Sequence, residues 1–240
     1  MGGGAMGPHV GNLAWSLAGS DAARWVYIPT ALREEQIPGA QPPPFARRAR
    51  PPVKTLHTRD RSAADSVAFT APLDEATAVF IEGGRQWRLA DAYLDTRTEA
   101  KLHEVLARGG VIVGVSAGAS IMASFLVRGS PMGNGIMMSP RHERGFGFVT
   151  HCAIDQHVVR RGRQSDLAQV VTQHPELLGI GLDEGAAALV RGDTLTVVND
   201  RQVLITDGAD HGGSSFYPIG HGARFDLAKW QEIPDQAPLD

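Results

Sequence analysis

The stretch Val111-Ile-Val-Gly-Val-Ser-Ala-Gly-Ala-Ser-Ile-Met122 decides the fold class. Val111 to Val115 is an apolar run that suits a short buried strand. It breaks off at Ser116, and small residues suited to a helix start follow, so the chain passes from strand through a turn into a helix. Gly114-Val-Ser-Ala-Gly118 fits the pattern G-x-S-x-G, and its flanks supply the strand and helix that a nucleophile elbow requires. The glycines stand two residues before and after the serine, where the backbone of such a turn passes too close to its neighbours for side chains. Ser116 Oγ then projects above the sheet edge, and the N–H of Ala117 lies at a helix start where it can help hold a developing oxyanion. The same spacing also occurs where glycines merely pack a helix start. Ser120, one helical turn on, lacks the strained turn and reads as a packing or capping residue.

Outward from this segment, short apolar runs alternate with helical spacing. Asn12 to Ala23 reads as a short helix, Arg24 to Ala31 as a strand ending at Pro29, and Ala76 to Glu82 as a strand ending at Gly83-Gly84. Thr98 to Arg108 places Leu102, Val105 and Leu106 on one helical face, and Gly109-Gly110 terminates it. Ile37 to Pro52 is rich in Pro and Arg and keeps no apolar period, so it reads as a surface loop, with Arg47, Arg48 and Arg50 solvated. After Gly179 the runs Ile180 to Asp183, Ala187 to Val190, Leu195 to Val198 and Val203 to Thr206 follow without helices, joined by Gly-Asp and Asn-Asp turns. The pattern predicts an α/β fold with a largely parallel sheet flanked by helices, antiparallel strands toward the C-terminus at one sheet edge, and functional loops at the strands' carboxyl ends. One domain over residues 1–240 is expected, with no internal repeat.

Gly2 to Gly7 has the spacing G-x-G-x-x-G, but a dinucleotide fingerprint needs a strand before the glycines and only Met1 precedes them. A glycine-rich turn over which a substrate or another loop packs is the expected role, and the missing strand suggests a shortened N-terminus. The 240 residues are 42% hydrophobic and 20% charged, enough for one sizeable core. A net charge of −3 argues against a nucleic-acid partner. No apolar run approaches membrane-spanning length and no leader pattern opens the sequence, so a cytoplasmic protein is expected. The single cysteine, Cys152, cannot close an internal disulfide.

A serine hydroxyl needs a base, and nine histidines are available. His157 ends the apolar segment His151-Cys-Ala-Ile-Asp-Gln-His, where a strand meets a loop. His174 and His211 read as solvated turn residues, and His103 as the water-facing side of a helix. Asp183 and Glu184 end another apolar strand with their carboxylates on opposite sides, so either one can orient a histidine. Taken singly, His157 is an ordinary histidine and Asp183-Glu184-Gly185 a polar turn.

Four segments, Phe80-Ile-Glu-Gly-Gly-Arg-Gln-Trp-Arg-Leu, Gly114-Val-Ser-Ala-Gly-Ala-Ser, Asp155-Gln-His-x-x-x-Arg-Gly-Arg and Gly179-Ile-Gly-Leu-Asp-Glu, together resemble the cyanophycinase and peptidase E family of serine peptidases. The resemblance extends from Gly2 to Phe225-Asp-Leu. It implies a fold like that of class I glutamine amidotransferases, with Ser116 as nucleophile, His157 as general base and Glu184 as its orienting acid. It also implies an oxyanion hole from the N–H groups of Gly84 and Ala117, and a substrate side shaped by Gln86, Asp155, Gln156, Arg161 and Arg163. The implied substrate is an aspartyl or β-aspartyl peptide, or cyanophycin, a poly-aspartate backbone carrying arginines in isopeptide linkage. No cofactor and no metal are called for, no nucleic-acid or membrane partner is expected, and a homodimer is left open.

The chain departs from the family pattern in three places. Asp166 stands where the family has a further arginine, and Glu82 and Arg85 flank the Gly-Gly turn in place of Thr and of Asp or Asn. A cation replaced by an anion beside an anionic substrate group points to altered specificity. Two alternatives follow: a catalytically silent member that binds acidic peptides, and a serine esterase whose histidine, His211 or His221, comes after the acid.

Overall fold

The computed structural model describes residues 1–234. Helix α1 (Pro8–Leu17) begins at Pro8, whose fixed φ suits the first helical turn. It therefore starts before the expected Asn12 and stops before Gly19, which adopts φ 100° ahead of a single 3-10 turn at Ser20–Ala22. Strand β1 (Trp25–Ile28) is followed by β2 (Lys54–Thr55), α2 (Arg61–Ala64), α3 (Val67–Asp74), β3 (Ala78–Ile81), α4 (Gln86–Tyr93), α5 (Arg97–Ala107) and β4 (Val111–Gly114). The first sheet has the order β2-β1-β3-β4 and is parallel throughout. Both its faces are covered, which is why β1 and β3 are buried along their whole length. Leu73, Leu89, Tyr93, Leu102 and Val105 pack on one face, and Ala14, Phe45 and Ala49 on the other.

The expected loop over residues 37–52 is more than surface. Phe45, Ala46 and Ala49 are buried, and the Phe45 ring meets Trp25 edge-on at 5.4 Å. The arginines at 47, 48 and 50 are exposed, as expected. Apolar residues here are spaced by single 3-10 turns, so no helical or strand period betrays them.

Beyond Ser116 come α6 (Ala117–Ser120), β5 (Ala123–Phe125), β6 (Val149–Gln156), α7 (Asp166–Gln173), β7 (Leu178–Leu182), β8 (Ala188–Arg191), β9 (Thr194–Val197), β10 (Val203–Thr206), β11 (Tyr217–Ile219), β12 (Arg224–Asp226) and β13 (Gln231–Ile233). A second sheet, β11-β10-β7-β6-β5, is parallel from β5 to β7 and antiparallel from β7 to β11. The antiparallel strands do not all lie at the edge of one sheet. The strands β8, β9, β12 and β13 form a separate antiparallel sheet. β8 and β9 are covered on one side at most, so they suit a sheet with one solvated face. The α/β architecture is the one expected, divided into three sheets.

Where the first two sheets approach, the N-terminal residues bridge them. The Met1 amine donates to Gly114 O at 2.9 Å and Met1 O accepts from Ser116 N–H at 2.9 Å, while Gly2 N–H donates to Ala186 O at 3.1 Å. Behind Met1 runs an apolar groove of about 490 Å³ lined by Ile112, Met122, Ile154, Ile180 and Leu182 among others. No described helix is long and apolar enough to cross a membrane.

Candidate active site

Ser116 sits between the end of β4 and the start of α6 with φ 52° and ψ −114°, a conformation that non-glycine residues seldom adopt. Strain of this kind costs about 1–3 kcal/mol and persists only where the surroundings impose it. Those surroundings are the two glycines of the motif. A Cβ on Gly114 would lie 2.1 Å from Gly118 O, and one on Gly118 would lie 2.2 Å from Ile81 O. The turn is therefore closed against β3 in a way that any side chain would prevent, and Ser116 is lifted out of the strand.

His157 follows the last residue of β6 and also has positive φ, 56°. Its Nε2 is 2.9 Å from Ser116 Oγ and its Nδ1 is 2.7 Å from Glu184 Oε1. With the Nδ1 proton donated to the carboxylate, Nε2 is left to accept from the serine hydroxyl. Gln156 Oε1 lies 3.4 Å from the same hydroxyl. The two acids after β7 divide as the alternation of side chains predicted. Glu184 faces the imidazole, whereas Asp183 accepts the backbone N–H groups of Val159 (3.0 Å) and Arg160 (2.8 Å) and so fixes the loop after His157.

The glycine-rich turn is part of this site. His157 N–H donates to Gly2 O at 3.1 Å and Gly185 N–H to Gly3 O at 2.8 Å, so the turn ties the histidine loop to the acid loop. Gly3 has φ 116°, and a Cβ there would lie 2.2 Å from His157 Cε1. The glycine-rich turn is packed as its composition predicts, and the imidazole of His157 is what packs on it.

Opposite Ser116, the Gly83-Gly84 turn follows β3. Gly83 N–H is taken by its neighbour Glu82 at 2.8 Å, whereas the N–H groups of Gly84 and Ala117 donate to no acceptor among the described residues. The Gly83-Gly84 turn lies against the serine through Gly83, where an added Cβ would be 3.3 Å from Ser116 Cβ, so each of the two turns meeting at Ser116 carries one N–H without an acceptor. Ser120 is fully buried in α6, a packing position. His211 binds Asp207 at 2.8 Å and His174 packs on the Phe125 ring at 4.7 Å. The imidazole on Ser116 is that of His157.

The remaining sequence-derived residues are placed unequally. Gln86 is buried at the start of α4 and its amide donates to Val127 O at 2.9 Å. Arg161 is exposed. Arg163 is half-buried, its Nη1 enclosed without an acceptor, and burial followed by the nearby Arg128 charge pulls its pKa below the usual guanidinium value. Asp155 turns away from Ser116 into a cluster that no motif announced. Arg128, 1% exposed, donates Nε and Nη2 to the two carboxylate oxygens of Asp155 at 2.8 Å each, Nη2 to Asp166 Oδ2 at 2.5 Å, and Nη1 to Asn134 O at 2.8 Å. Asp166 therefore has a partner of its own, contributed by the segment after β5.

A strained serine at a strand-to-helix turn, hydrogen-bonded to a histidine that is in turn hydrogen-bonded to a glutamate, is an arrangement suited to hydrolysis on an α/β fold. The family model described as "Peptidase family S51" matches residues 5–198, a span containing all three side chains, and the chain belongs to that family. It is 29% identical to the cyanophycinase of Geminocystis herdmanii, with 91% of this chain and 88% of that protein aligned. With the cyanophycinase of Trichormus variabilis it shares 32% identity over 79% of this chain and 65% of that longer protein. The crystal structure of a peptidase from an acI-B1 Actinobacterium superposes with a TM-score of 0.69 at 22% identity, covering 94% of each chain, which supports the fold. The chain is a cyanophycinase-like peptidase, and hence a hydrolase.

Proposed function

We propose that the chain is a serine peptidase that hydrolyses aspartyl or β-aspartyl bonds through Ser116, His157 and Glu184. The observation that carries this is the unbroken line from Ser116 Oγ through His157 to Glu184 Oε1 at 2.9 and 2.7 Å, mounted on a strained elbow. His157 Nε2 takes the hydroxyl proton as Ser116 Oγ bonds to the scissile carbonyl carbon. The negative charge that forms on the carbonyl oxygen is received by the N–H groups of Gly84 and Ala117. Collapse breaks the C–N bond, His157 returns the proton to the leaving amine, and water then releases the acyl group by the same steps. Glu184 holds the imidazole in the tautomer that accepts at Nε2.

On the substrate side we assign Gln86, Gln156, Arg161 and Arg163, with the free Nη1 of Arg163 suited to a substrate carboxylate. Asp155 serves there indirectly, because Arg128 occupies both its oxygens. A serine-directed fluorophosphonate tests the chemistry. Labelling that is lost in Ser116→Ala, together with product release from cyanophycin, β-Asp-Arg or α-aspartyl dipeptides seen by mass spectrometry, is the expected result. An unlabelled native chain of unchanged mass would overturn it.

A further inference from the structure

Cations converge on the turn that carries Gly84. Arg85 follows it directly, with its N–H on Ala31 O at 2.8 Å and its Nη2 on Ser130 O at 2.6 Å, while its Nε is enclosed and meets no acceptor. One helical turn on, Arg88 Nη1 reaches the same Ala31 O at 2.9 Å, and its guanidinium lies 5.3 Å from the Trp87 ring centroid. Arg59 donates to Thr30 O at 2.8 Å and Leu32 O at 2.7 Å. Burial, and then the charges of Arg59, Arg85 and Arg33, pull the Arg88 guanidinium below its ordinary pKa. Arg88 therefore feels the charges of Arg59, Arg85 and Arg33 around the loop after β1, with Glu35 opposing them.

The carboxylates nearby are committed elsewhere. Glu34 pairs with Arg59 at 3.1 Å, Glu35 stands 4.0 Å from Arg33, and Glu82 is turned to Tyr27 Oη at 2.9 Å and Gly83 N–H at 2.8 Å. Among the described residues no carboxylate lies within ion-pair distance of Arg85 or Arg88. Two guanidinium groups with no carboxylate in direct contact, and only the distant Glu35 charge opposing at Arg88, thus border the turn that carries Gly84, the proposed oxyanion donor. A compact anion relieves that like-charge repulsion, and a guanidinium fork suits a carboxylate.

We infer that Arg85 and Arg88, backed by Arg59 and Arg33, form a carboxylate subsite beside the oxyanion turn, and that the preferred substrates are acidic peptides with a free side-chain carboxylate flanking the scissile aspartyl bond. The inference rests on Ser116 being the nucleophile. It sets this chain toward uncapped acidic peptides and away from a polymer whose aspartyl side chains carry arginine, because the capping group brings a cation to the same edge.

Two series of amidated β-aspartyl peptides, with Glu, Gln or Arg placed either before or after the scissile residue, test this by calorimetric binding to Ser116→Ala. In at least one series Glu should bind about tenfold tighter than Gln at low salt, the value of a charge-assisted contact, with Arg weakest. The preference should shrink as salt rises from about 0.02 to about 0.3 M and vanish in Arg85→Gln/Arg88→Gln. Equal binding of Glu and Gln in both series, or a preference that survives the double substitution, overturns the inference. If the double variant does not fold, the salt series decides: a Glu preference indifferent to salt overturns it. The binding arm needs no chemistry, so failure of Ser116 as nucleophile appears separately, as an unlabelled native chain.

Discussion

Asp155 and His157 stand two residues apart at the carboxyl end of β6, yet the ionic clusters they anchor are built on opposite terms. The Ser116, His157 and Glu184 side chains are held by one hydrogen bond per link, Glu184 is 38% exposed, and Ser116 and His157 themselves have positive φ. In the Arg128, Asp155 and Asp166 cluster the arginine and Asp155 are 1% and 0% exposed, and both Asp155 oxygens are occupied. The first network keeps a proton free to move, and the second leaves neither oxygen of its buried carboxylate, Asp155, free. Charge density does not separate the two; saturation does. A saturated buried pair is a poor candidate for chemistry and a strong candidate for fixing the strand end from which Gln156 and His157 depart.

The largest expected effect breaks the first network alone. Ser116→Ala and His157→Ala should each lower turnover by about 10⁴-fold or more, because members of a triad act as a unit. Both variants should still fold: Ser116→Ala should keep the native thermal midpoint, since removing Oγ leaves the elbow glycines and backbone contacts in place, whereas His157→Ala should lose some stability with its buried imidazole. Ser116→Ala turnover near that of the native chain would show that the nucleophile lies elsewhere.

Breaking the second network should do the reverse. Arg128→Met leaves Asp155 buried without a counter-charge, a change that costs about 3–5 kcal/mol when one partner of a buried pair is removed. The expected result in urea is a fall of that size in the unfolding free energy, read from the midpoint at unchanged slope. Arg128→Met/Asp155→Leu, which removes both charges, should recover much of it. If the single variant is as stable as the native chain, the cluster does not hold the strand end.

The elbow, the histidine at the strand end and the paired acids were legible because each is local, a few residues whose types and spacing carry the geometry. The Arg128 cluster was not legible. Its members come from the segment after β5, the end of β6 and the start of α7, so its contacts span 27 and 38 residues. The chain between β5 and β6 has no apolar period to place Arg128 in space. For the same reason the division into three sheets escaped the sequence: runs of alternating strands and turns after Gly179 specify hairpins, but not which sheet each hairpin joins. Gly2 to Gly4 gave the spacing of a tight turn, while its partner, the His157 ring, is set by backbone hydrogen bonds across more than 150 residues.

A smaller effect sharpens the contrast within the first network. Glu184→Gln keeps the shape while removing the charge that steadies an imidazolium, so turnover should fall by about 10²-fold with KM little changed, less than for either partner. Steady-state kinetics read this directly. A fall as large as that of His157→Ala would mean that Glu184 does more than orient and stabilise.

The smallest expected effect concerns Asp166, where the sequence pointed one way and the structure points another. As a departure from a family arginine, Asp166 suggests that Asp166→Arg restores a substrate-binding cation. In the structure its carboxylate receives Arg128 Nη2 at 2.5 Å, so an arginine there would bring two guanidinium groups together beside Asp155. The Asp166 side chain is 36% exposed, and solvent screening limits the pair to about 1 kcal/mol, well below the buried Arg128 to Asp155 contact. Asp166→Asn should therefore lower stability by about that amount and leave the Arg128 to Asp155 pair intact. Asp166→Arg should lose slightly more, through like-charge repulsion, without improving kcat/KM on β-aspartyl substrates. Its loss should shrink as salt is raised, since repulsion at a part-exposed site is screened. A gain in kcat/KM for Asp166→Arg would show that position 166 faces the substrate and that Arg128 yields to it.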